Sequence, residues 1–307
     1  MPASPRPIDK QVIVITGASS GIGLRTAQLA VERGARVVIA ARSDETLDQI
    51  AADLSSGCDE RRAIAVECDV ADRAQVQRVA NEAMRVFGRI DTWVNNAGIS
   101  IYGRLDEVSE EDSRRLFDTN FWGLVNGSLV ALPFLKQSQG VLINVGSEVS
   151  EAVAPLLGMY AASKHAVKGF NDALRLEIEE IDNAPVSIVL IQPTSTDTPF
   201  PQHARNYMDK DAKLPDPQQE PDKVAEAILD AAIKPQRAVK VGVMASLNVA
   251  VAKFLPGLGD KLAAGRVDDE QADRPAEDPA GALHRPSEES RSVGQVHGLP
   301  GRDKDRR

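Results

Sequence analysis

Tyr160 and Lys164 are the residues best suited to chemistry, and they stand four positions apart in the segment Tyr-Ala-Ala-Ser-Lys. Residues with this spacing lie on one face of a helix, so the phenol and the ammonium would point the same way. A lysine charge about 4 Å from a phenolate stabilises it by about 4 kcal/mol at an effective dielectric constant near 20. Such a charge would lower the pKa of the tyrosine from about 10 toward neutrality. We therefore expect Tyr160 to act as a general acid and base.

Two further polar residues stand where they could assist. Ser147 follows a predicted strand, and its hydroxyl could hydrogen-bond a substrate oxygen together with the phenol; the alternative is an ordinary strand-end serine. Asn120 lies within a predicted helix, where asparagine is unfavourable. A residue that breaks a local rule often does so for function, although a helix kink or a packed amide would also explain it.

A glycine-rich turn follows the first predicted strand and opens the first helix. Its spacing is G-x-x-x-G-x-G, which allows a tight turn and a close approach of the backbone to a pyrophosphate at a helix N-terminus. A merely tight turn between strand and helix is the alternative. The candidate cofactor-binding residues in this turn are Thr16, Gly17, Ser19, Ser20, Gly21, Ile22 and Gly23.

The end of the second strand indicates which nicotinamide cofactor would be bound. An acidic residue at that place would hold the ribose hydroxyls of NAD(H), but the chain has Ala41 followed by Arg42. A guanidinium can grip a 2′-phosphate with two hydrogen bonds. The sequence therefore favours NADP(H) over NAD(H), unless Arg42 is only a surface charge.

The elements that must position these residues alternate between short apolar strands and longer helices. Continuous Val- and Ile-rich strands separated by helices predict an α/β fold, a doubly wound, Rossmann-like parallel sheet of about seven strands with helices on both faces. We predict strands over residues 11–15, 36–41, 63–67, 90–94, 140–145 and 186–191, and helices over 21–33, 72–87, 109–136 and 160–181, with another opening near residue 43.

The domain organisation follows from changes in composition. Residues 1–265 are predicted to form a single domain, in which the proline-rich stretch 199–221 is too long for a plain connection and indicates a lid. Residues 266–307 contain no aromatic residue and few branched aliphatic residues. Such a segment buries too little apolar surface to offset its chain entropy, so we predict a disordered tail.

Bulk composition excludes several classes of partner. The chain has 307 residues and a formal net charge of −9, which argues against nucleic acid. Its two cysteines and four histidines show no metal-ligand spacing, so no metal is expected. Few cysteines and no signal segment or apolar run of membrane length favour the cytoplasm. Residues 245–262 have some peripheral membrane character, but a helix packed on the core or on another subunit fits them better.

Taken together, these motifs resemble the short-chain dehydrogenase/reductase family over roughly residues 10–260. The resemblance implies a catalytic tetrad of Asn120, Ser147, Tyr160 and Lys164, and a homodimer or homotetramer. It also implies that Lys164 holds the nicotinamide ribose and that a water on Asn120 relays protons. The further cofactor-binding positions that it implies are Asp69, Val70, Asn96, Ala97, Gly98, Pro193 and Thr198. Thr194 departs from the family, which commonly has glycine there, so the local backbone and substrate pocket are expected to differ.

The function expected from this combination is hydride transfer between NADP(H) and a carbonyl compound or secondary alcohol. Apolar residues in the predicted pocket loops, namely Ile101, Tyr102, Val153, Leu156, Leu157 and Phe200, indicate a small and fairly apolar substrate. A reductase of 3-oxoacyl thioesters and an NADP(H)-binding sensor without catalysis are the alternatives.

Overall fold

The computed structural model describes residues 4–58, 60–242, 249, 251, 254–265, 267–287 and 290–294. The strands in this part of the chain are β1 (Val12–Thr16), β2 (Arg36–Ala41), β3 (Ala63–Glu67), β4 (Thr92–Asn95), β5 (Ile101–Tyr102), β6 (Val141–Val145), β7 (Ser187–Pro193), β8 (Arg205–Asn206), β9 (Lys210–Ala212), β10 (Ala238–Val241) and β11 (Gln271–Pro275). The α-helices are α1 (Gly21–Glu32), α2 (Asp44–Ser55), α3 (Arg73–Phe87), α4 (Glu110–Phe117), α5 (Gly123–Ser138), α6 (Gly158–Arg175), α7 (Phe200–His203), α8 (Pro221–Ala231) and α9 (Pro256–Ala264).

Seven of these strands form one parallel sheet in the order β10-β7-β6-β4-β1-β2-β3. The chain leaves β1 toward β2 on one side and reaches β4 on the other, so the winding direction reverses between β1 and β4. In a sheet of this kind, the ligand crevice opens at the carboxyl ends of the strands where the order reverses. The predicted doubly wound α/β fold is therefore confirmed.

Alternation along β1 shows how the sheet is covered on both faces. Ile13 and Ile15 belong to the apolar cluster that includes α1, α2 and α8. Val12 and Val14 belong to a second cluster with α3, α5 and α6. Because successive side chains of a strand point to opposite faces, a strand buried on both sides must be apolar at every position.

A buried network of amides joins the sheet to the helices beside the crevice. The side-chain amide of Asn95 donates to Ser128 Oγ at 3.1 Å and to Asn144 Oδ1 at 2.8 Å, and Asn144 in turn donates to Asn171 at 3.1 Å. The indole of Trp93 donates to Asn95 Oδ1 at 2.8 Å. Buried amides that are hydrogen-bonded to one another lock the register of the elements that carry them.

The two long predicted helices are interrupted. The helix predicted over residues 109–136 consists of α4 and α5 separated by a π-helical turn, Asp118–Trp122. The helix predicted over 160–181 begins earlier, as α6 at Gly158, and passes into a second π-helical turn, Leu176–Ile181. Apolar periodicity does not distinguish an α-helical turn from a π-helical one, so these breaks were missed.

The prediction of disorder is wrong for the described part of residues 266–307. Strand β11 pairs antiparallel with β9, and β9 belongs to the predicted lid at residues 199–221, which also carries α7 and β8. Leu283 has no exposed surface and packs against Ile99, Ile101 and Leu116. The tail contributes few apolar side chains, but the rest of the chain supplies the surface against which they are buried.

Residues 245–262, the segment considered for membrane contact, lie partly outside the described residues. Residues 243–248, 250, 252 and 253 are not among the described residues, whereas α9 and the exposed side chain of Phe254 are. Among the helices that the structure describes, none combines the length and the hydropathy needed to span a bilayer.

We expect Gly127→Ala to lower the free energy of unfolding by about 1–3 kcal/mol because the added methyl group overpacks the amide network. A Cβ on Gly127 would lie 2.0 Å from Asn95 Oδ1. Gly169→Ala is the matched control, since a Cβ there meets nothing within 4 Å on the exposed face of α6. This control should gain about 0.5–1 kcal/mol from helix propensity. Urea denaturation of both variants measures the difference, and equal effects would contradict the argument.

Candidate active site

The glycine turn after β1 is held against the Asn-Asn-Ala-Gly turn after β4. The Asn96 side-chain amide donates to the carbonyl oxygens of Thr16 and Gly17, both at 3.0 Å. Thr16 Oγ1 accepts from the backbone N–H groups of Asn96 at 3.1 Å and Ala97 at 3.2 Å. Gly17 has φ +66°, and a Cβ there would lie 2.6 Å from Ala97 Cα. Only glycine fits so close a contact.

A cleft opens between these two turns, the end of β6 and the lid. It brings together nearly all of the predicted cofactor-binding residues, and the predicted residues that line it are Gly17, Ser19, Ser20, Gly21, Ile22, Arg42, Asp69, Val70, Asn96, Ala97, Gly98, Tyr160, Lys164, Pro193 and Thr198. Thr16 and Gly23 lie behind the turn instead. A Cβ on Gly23 would be 2.3 Å from the Gly17 carbonyl oxygen, so Gly23 permits the turn to close.

Ser147 and Tyr160 meet at the floor of the cleft. Ser147 follows β6 and caps a short 3₁₀ turn, Glu148–Ser150, and its hydroxyl hydrogen-bonds the Tyr160 phenol. The Tyr160 ring packs edge-to-face on Phe200 of the lid, with ring centroids 5.4 Å apart. The Tyr160 side chain is therefore contacted from two sides, by Ser147 after β6 and by Phe200 of the lid.

Lys164 is almost fully buried one helical turn after Tyr160. Its side chain is on α6, and its Nζ donates to the Val145 carbonyl oxygen at 2.9 Å. The Nζ lies 5.7 Å from the centroid of the Tyr160 ring. Burial lowers the pKa of Lys164 to about 8, because a charged ammonium is costly away from water.

The expected lowering of the Tyr160 pKa is wrong in this structure. Burial raises the pKa of Tyr160 to about 12, the Ser147 hydrogen bond lowers it, and the charge of Glu148 raises it again. Lys164 does not act as a close partner of the phenol, since its ammonium is turned to the carbonyl of Val145. Spacing on a helix placed the two side chains on one face, but it revealed neither the desolvation of the phenol nor the turn of the ammonium toward Val145.

Asn120 stands behind the cleft, in the π-helical turn between α4 and α5. Its Oδ1 accepts from Ile99 N at 2.9 Å, and its Nδ2 donates to Ile99 O at 2.9 Å and to Ser163 Oγ at 3.1 Å. The unfavourable mid-helix asparagine thus marks both a break in the helix and a packed amide. Such π-helical turns occur often at functional sites.

Thr194 finds a local partner where glycine was expected. Its Oγ1 donates to Glu148 Oε1 at 2.8 Å. Space for its methyl group comes from Gly242, where a Cβ would lie 2.5 Å from Thr194 Cγ2. The threonine is therefore accommodated by Gly242, which follows the neighbouring strand β10. Its hydroxyl holds the carboxylate of Glu148, the residue after Ser147.

The predicted substrate-pocket residues are only partly brought together. Leu157 and Phe200 line the cleft, whereas Ile101 and Tyr102 are buried in the core and Val153 is exposed. Other lining residues lie in two segments expected to form the pocket, the loop after β6 and the lid: Val149, Ala154, Leu214 and Pro215. Sequence reasoning missed the lining residues beyond residue 265, because that part of the chain was expected to be disordered. These are Glu270, Ala282, Pro286 and Ser287. His203 of the lid also lines the cleft and hydrogen-bonds Ser287 at 2.8 Å.

Arg42 contacts the tail. It is half-buried at the end of β2, and its guanidinium donates to the carbonyl oxygens of Ala282 at 2.5 Å and Leu283 at 3.1 Å. Arg115 of α4, which sequence reasoning did not select, lies beside it and forms an ion pair with Asp69 at 2.5 Å. Burial lowers the pKa of Arg42, and the neighbouring Arg115 charge lowers it further.

Comparison with known proteins places this cleft in context. The family model described as short chain dehydrogenase matches residues 11–209. An uncharacterised oxidoreductase of Bacillus subtilis (strain 168), YxnA, is 44% identical over 256 residues, which cover 82% of this chain and 71% of that relative.

Two solved structures share the fold. A short-chain dehydrogenase/reductase from Burkholderia phymatum in complex with NAD has a TM-score of 0.72 and 25% identity, covering 82% of this chain and 96% of its own. An alcohol dehydrogenase from Thermococcus sibiricus complexed with 5-hydroxy-NADP has a TM-score of 0.65 and 27% identity, covering 75% and 94%.

The lowered pKa of Lys164 predicts a pH-dependent stability. Between about pH 8 and pH 10 the unfolded chain, whose lysine has an ordinary pKa near 10.4, binds a proton that the folded chain has released. Lys164 therefore contributes a rise of the free energy of unfolding with pH in this window, which is opposed above about pH 9 by Cys68, because burial raises the pKa of that thiol to about 12. We expect Lys164→Met to lose this rise, as measured by urea denaturation at several pH values.

Lys168→Met is the matched control, because Lys168 lies one turn further along α6 in an ion pair with Asp172 at 2.7 Å. A rise with pH that survives in Lys164→Met would show that another group is responsible.

Proposed function

The chain belongs to the short-chain dehydrogenase/reductase family, and from this premise we propose that it transfers a hydride between NADP(H) and a carbonyl compound or secondary alcohol. Family membership makes it an oxidoreductase. The observation that carries the finer proposal is the Tyr160 phenol, which hydrogen-bonds Ser147 and opens onto the same cleft as the glycine turn. A proton-carrying group and a phosphate-binding turn in one cleft are what such a reaction requires.

The shape of the cleft fits a dinucleotide. Gly17 and Gly23 leave no room for a side chain, and α1 begins at Gly21, which lines the cleft. A helix N-terminus of this kind favours a pyrophosphate. We assign the pyrophosphate to residues 16–23 and the adenosine end to Arg42, Asp69 and Val70. The nicotinamide end is assigned to the residues that remain, Asn96, Ala97, Gly98, Tyr160, Lys164, Pro193 and Thr198.

When bound, the nicotinamide supplies or accepts the hydride. Tyr160 would give a proton to the substrate oxygen in reduction and take it back in oxidation. The Ser147 hydroxyl, already on the phenol, would hold the same oxygen. With a pKa near 8, Lys164 is mostly charged at neutral pH, and its ammonium would hold the nicotinamide ribose. Asn120 would act by fixing the backbone of Ile99 next to Gly98.

The preference for NADP(H) rests on Arg42 and on the absence of an acidic residue at the end of β2. The solved relatives do not decide the matter, since one is bound to NAD and the other to 5-hydroxy-NADP. A guanidinium at this place attracts a 2′-phosphate, and no carboxylate of β2 repels it.

The substrate proposed is small and fairly apolar. Leu157, Phe200 and Val149 line the part of the cleft around Tyr160, and Glu148 and Thr194 form its polar edge. A carbonyl compound with an apolar body and one additional hydrogen-bonding group would match this surface.

Assembly and location are proposed on independent grounds. Trp122, Leu176 and Ile181 are large apolar side chains exposed on the two π-helical turns, and they support a homodimer or homotetramer. Both cysteines are free, with Cys58 exposed, which supports a reducing compartment such as the cytoplasm.

Tyr160→Phe should reduce turnover by about 10²–10⁴-fold, because it removes the proton donor while keeping the ring packed on Phe200. Binding of NADPH, followed by nicotinamide fluorescence, should stay within about twofold. Tyr207→Phe is the matched control, since that phenol donates to Asp112 at 2.7 Å rather than lining the cleft. Full turnover in Tyr160→Phe would remove Tyr160 from the mechanism. Turnover absent from both variants and from the wild type would favour the sensor alternative.

Arg42→Ala should weaken NADPH binding by about 10- to 100-fold and leave NADH binding nearly unchanged, because only NADPH carries the 2′-phosphate. Fluorescence titration with each cofactor measures the ratio. Arg36→Ala is the control, because Arg36 lies at the opposite end of β2, over the Phe87 ring. Equal losses for both cofactors would make Arg42 a structural residue.

A further inference from the structure

Two guanidinium groups converge on a single backbone oxygen at the adenosine end of the cleft. The Leu283 carbonyl oxygen accepts from Arg42 Nη1 at 3.1 Å and from Arg115 Nε at 3.3 Å. Arg42 also donates to the neighbouring Ala282 carbonyl. A carbonyl oxygen carries only a partial negative charge, so two full positive charges on it make a position suited to an anion.

Around the Leu283 carbonyl oxygen, the positive charge of the two arginine side chains exceeds the negative charge of their carboxylate partner. Asp69 accepts from Arg115 Nη2 at 2.5 Å and so balances one of the two guanidinium groups. Both arginine side chains are partly withdrawn from solvent, with Arg115 only 20% exposed. Repulsion between neighbouring cations in partial burial is relieved by an anion placed between them.

The same C-terminal segment, residues 282–287 and 290–294, also reaches the glycine turn. The backbone N–H of Gly21, at the start of α1, donates to the Arg291 carbonyl oxygen at 2.9 Å. Two groups assigned above to cofactor phosphates, the Arg42 guanidinium and this N–H, are thus both bonded to carbonyl oxygens of one segment. Because the segment and the cofactor phosphates would use the same donors, the two would compete for the site.

The C-terminal segment is held by enough contacts to compete with a phosphate, but by too few to prevent its displacement. Leu283 is buried against Ile99 and Leu116, and the imidazole of His284 lies 2.7 Å from Asp112 Oδ1. The Ala282 N–H donates to the His203 carbonyl oxygen at 2.8 Å. One buried leucine and a few hydrogen bonds are comparable to what a dianionic phosphate can offer two guanidinium groups.

We propose that Arg42 and Arg115 together form the 2′-phosphate subsite, and that the C-terminal segment occupies it through the Leu283 carbonyl until the phosphate displaces it. The inference rests on the proposed function, because it takes NADP(H) as the ligand. Arg115 thereby becomes a second determinant of cofactor specificity, and the segment becomes an internal competitor. NAD(H) lacks the 2′-phosphate that would displace the Leu283 carbonyl.

The subsite is tested by calorimetric titration with adenosine 2′,5′-bisphosphate and adenosine 5′-monophosphate. Arg115→Gln should weaken binding of the bisphosphate about tenfold or more and leave the monophosphate within about twofold. Arg114→Gln is the matched control, since Arg114 is exposed on the same helix in an ion pair with Glu110. Equal losses for both ligands, or no loss, would overturn the role of Arg115.

Displacement is tested on the unaltered chain by hydrogen exchange. Adding the bisphosphate should accelerate exchange at the Ala282 amide and in peptides from residues 282–287, whereas the monophosphate should not. Slower exchange would mean that the segment closes over the ligand, and unchanged exchange that it is not displaced; either result overturns competition. Leu283→Ala, which removes most of the buried anchor without adding a charge, should tighten bisphosphate binding, provided that its thermal unfolding remains cooperative; weaker or unchanged binding would contradict competition.

The outcomes separate this inference from the function on which it depends. A wild-type chain that binds neither NADPH nor the bisphosphate contradicts the proposed function itself. A wild-type chain that binds NADPH but whose Arg115→Gln variant discriminates normally contradicts only the subsite.

Discussion

The contact between the glycine turn and the Asn-Asn-Ala-Gly turn is the constraint on which the rest of the site depends. Asn96 satisfies the carbonyl oxygens of Thr16 and Gly17 where β1 ends, and those groups would otherwise be left without partners at a crowded strand edge. The contact joins the carboxyl ends of β1 and β4, the two strands between which the sheet reverses direction. Because this contact fixes the glycine turn against the end of β4, it also fixes the N-terminus of α1, which follows that turn, at the edge of the cleft.

Burial, more than proximity of charge, sets the chemistry of the cleft floor. It raises the pKa of Tyr160 and lowers that of Lys164, so both groups are pushed toward their neutral forms. The hydrogen bonds that oppose burial come from the end of β6, through Ser147 to the phenol and through the Val145 carbonyl to the ammonium. The end of β6 thus fixes the positions of Tyr160 and Lys164 on α6.

The C-terminal segment packs on the rest of the fold with very little apolar surface of its own, because the fold already provides an apolar surface to receive it. Its composition is that of a disordered chain, yet Leu283 fills a gap among Ile99, Ile101 and Leu116. The Leu283 carbonyl oxygen then accepts hydrogen bonds from two arginine side chains, Arg42 and Arg115. Amino-acid composition reports the apolar surface that a segment itself contributes, but it does not report the surface of the rest of the chain on which that segment can pack.

From its sequence alone, the order of strands and helices could be predicted, together with the glycine turn and the pairing of Tyr160 with Lys164 on one helix face. These features depend on short-range periodicity and on spacing within a few residues. The π-helical turn at Asn120, the direction of the Tyr160 pKa shift and the meeting of Arg42, Arg115 and Leu283 were decided only by the tertiary structure. Desolvation, and contacts between residues distant in the chain, are properties of the packed molecule, and no local pattern encodes which surfaces will meet.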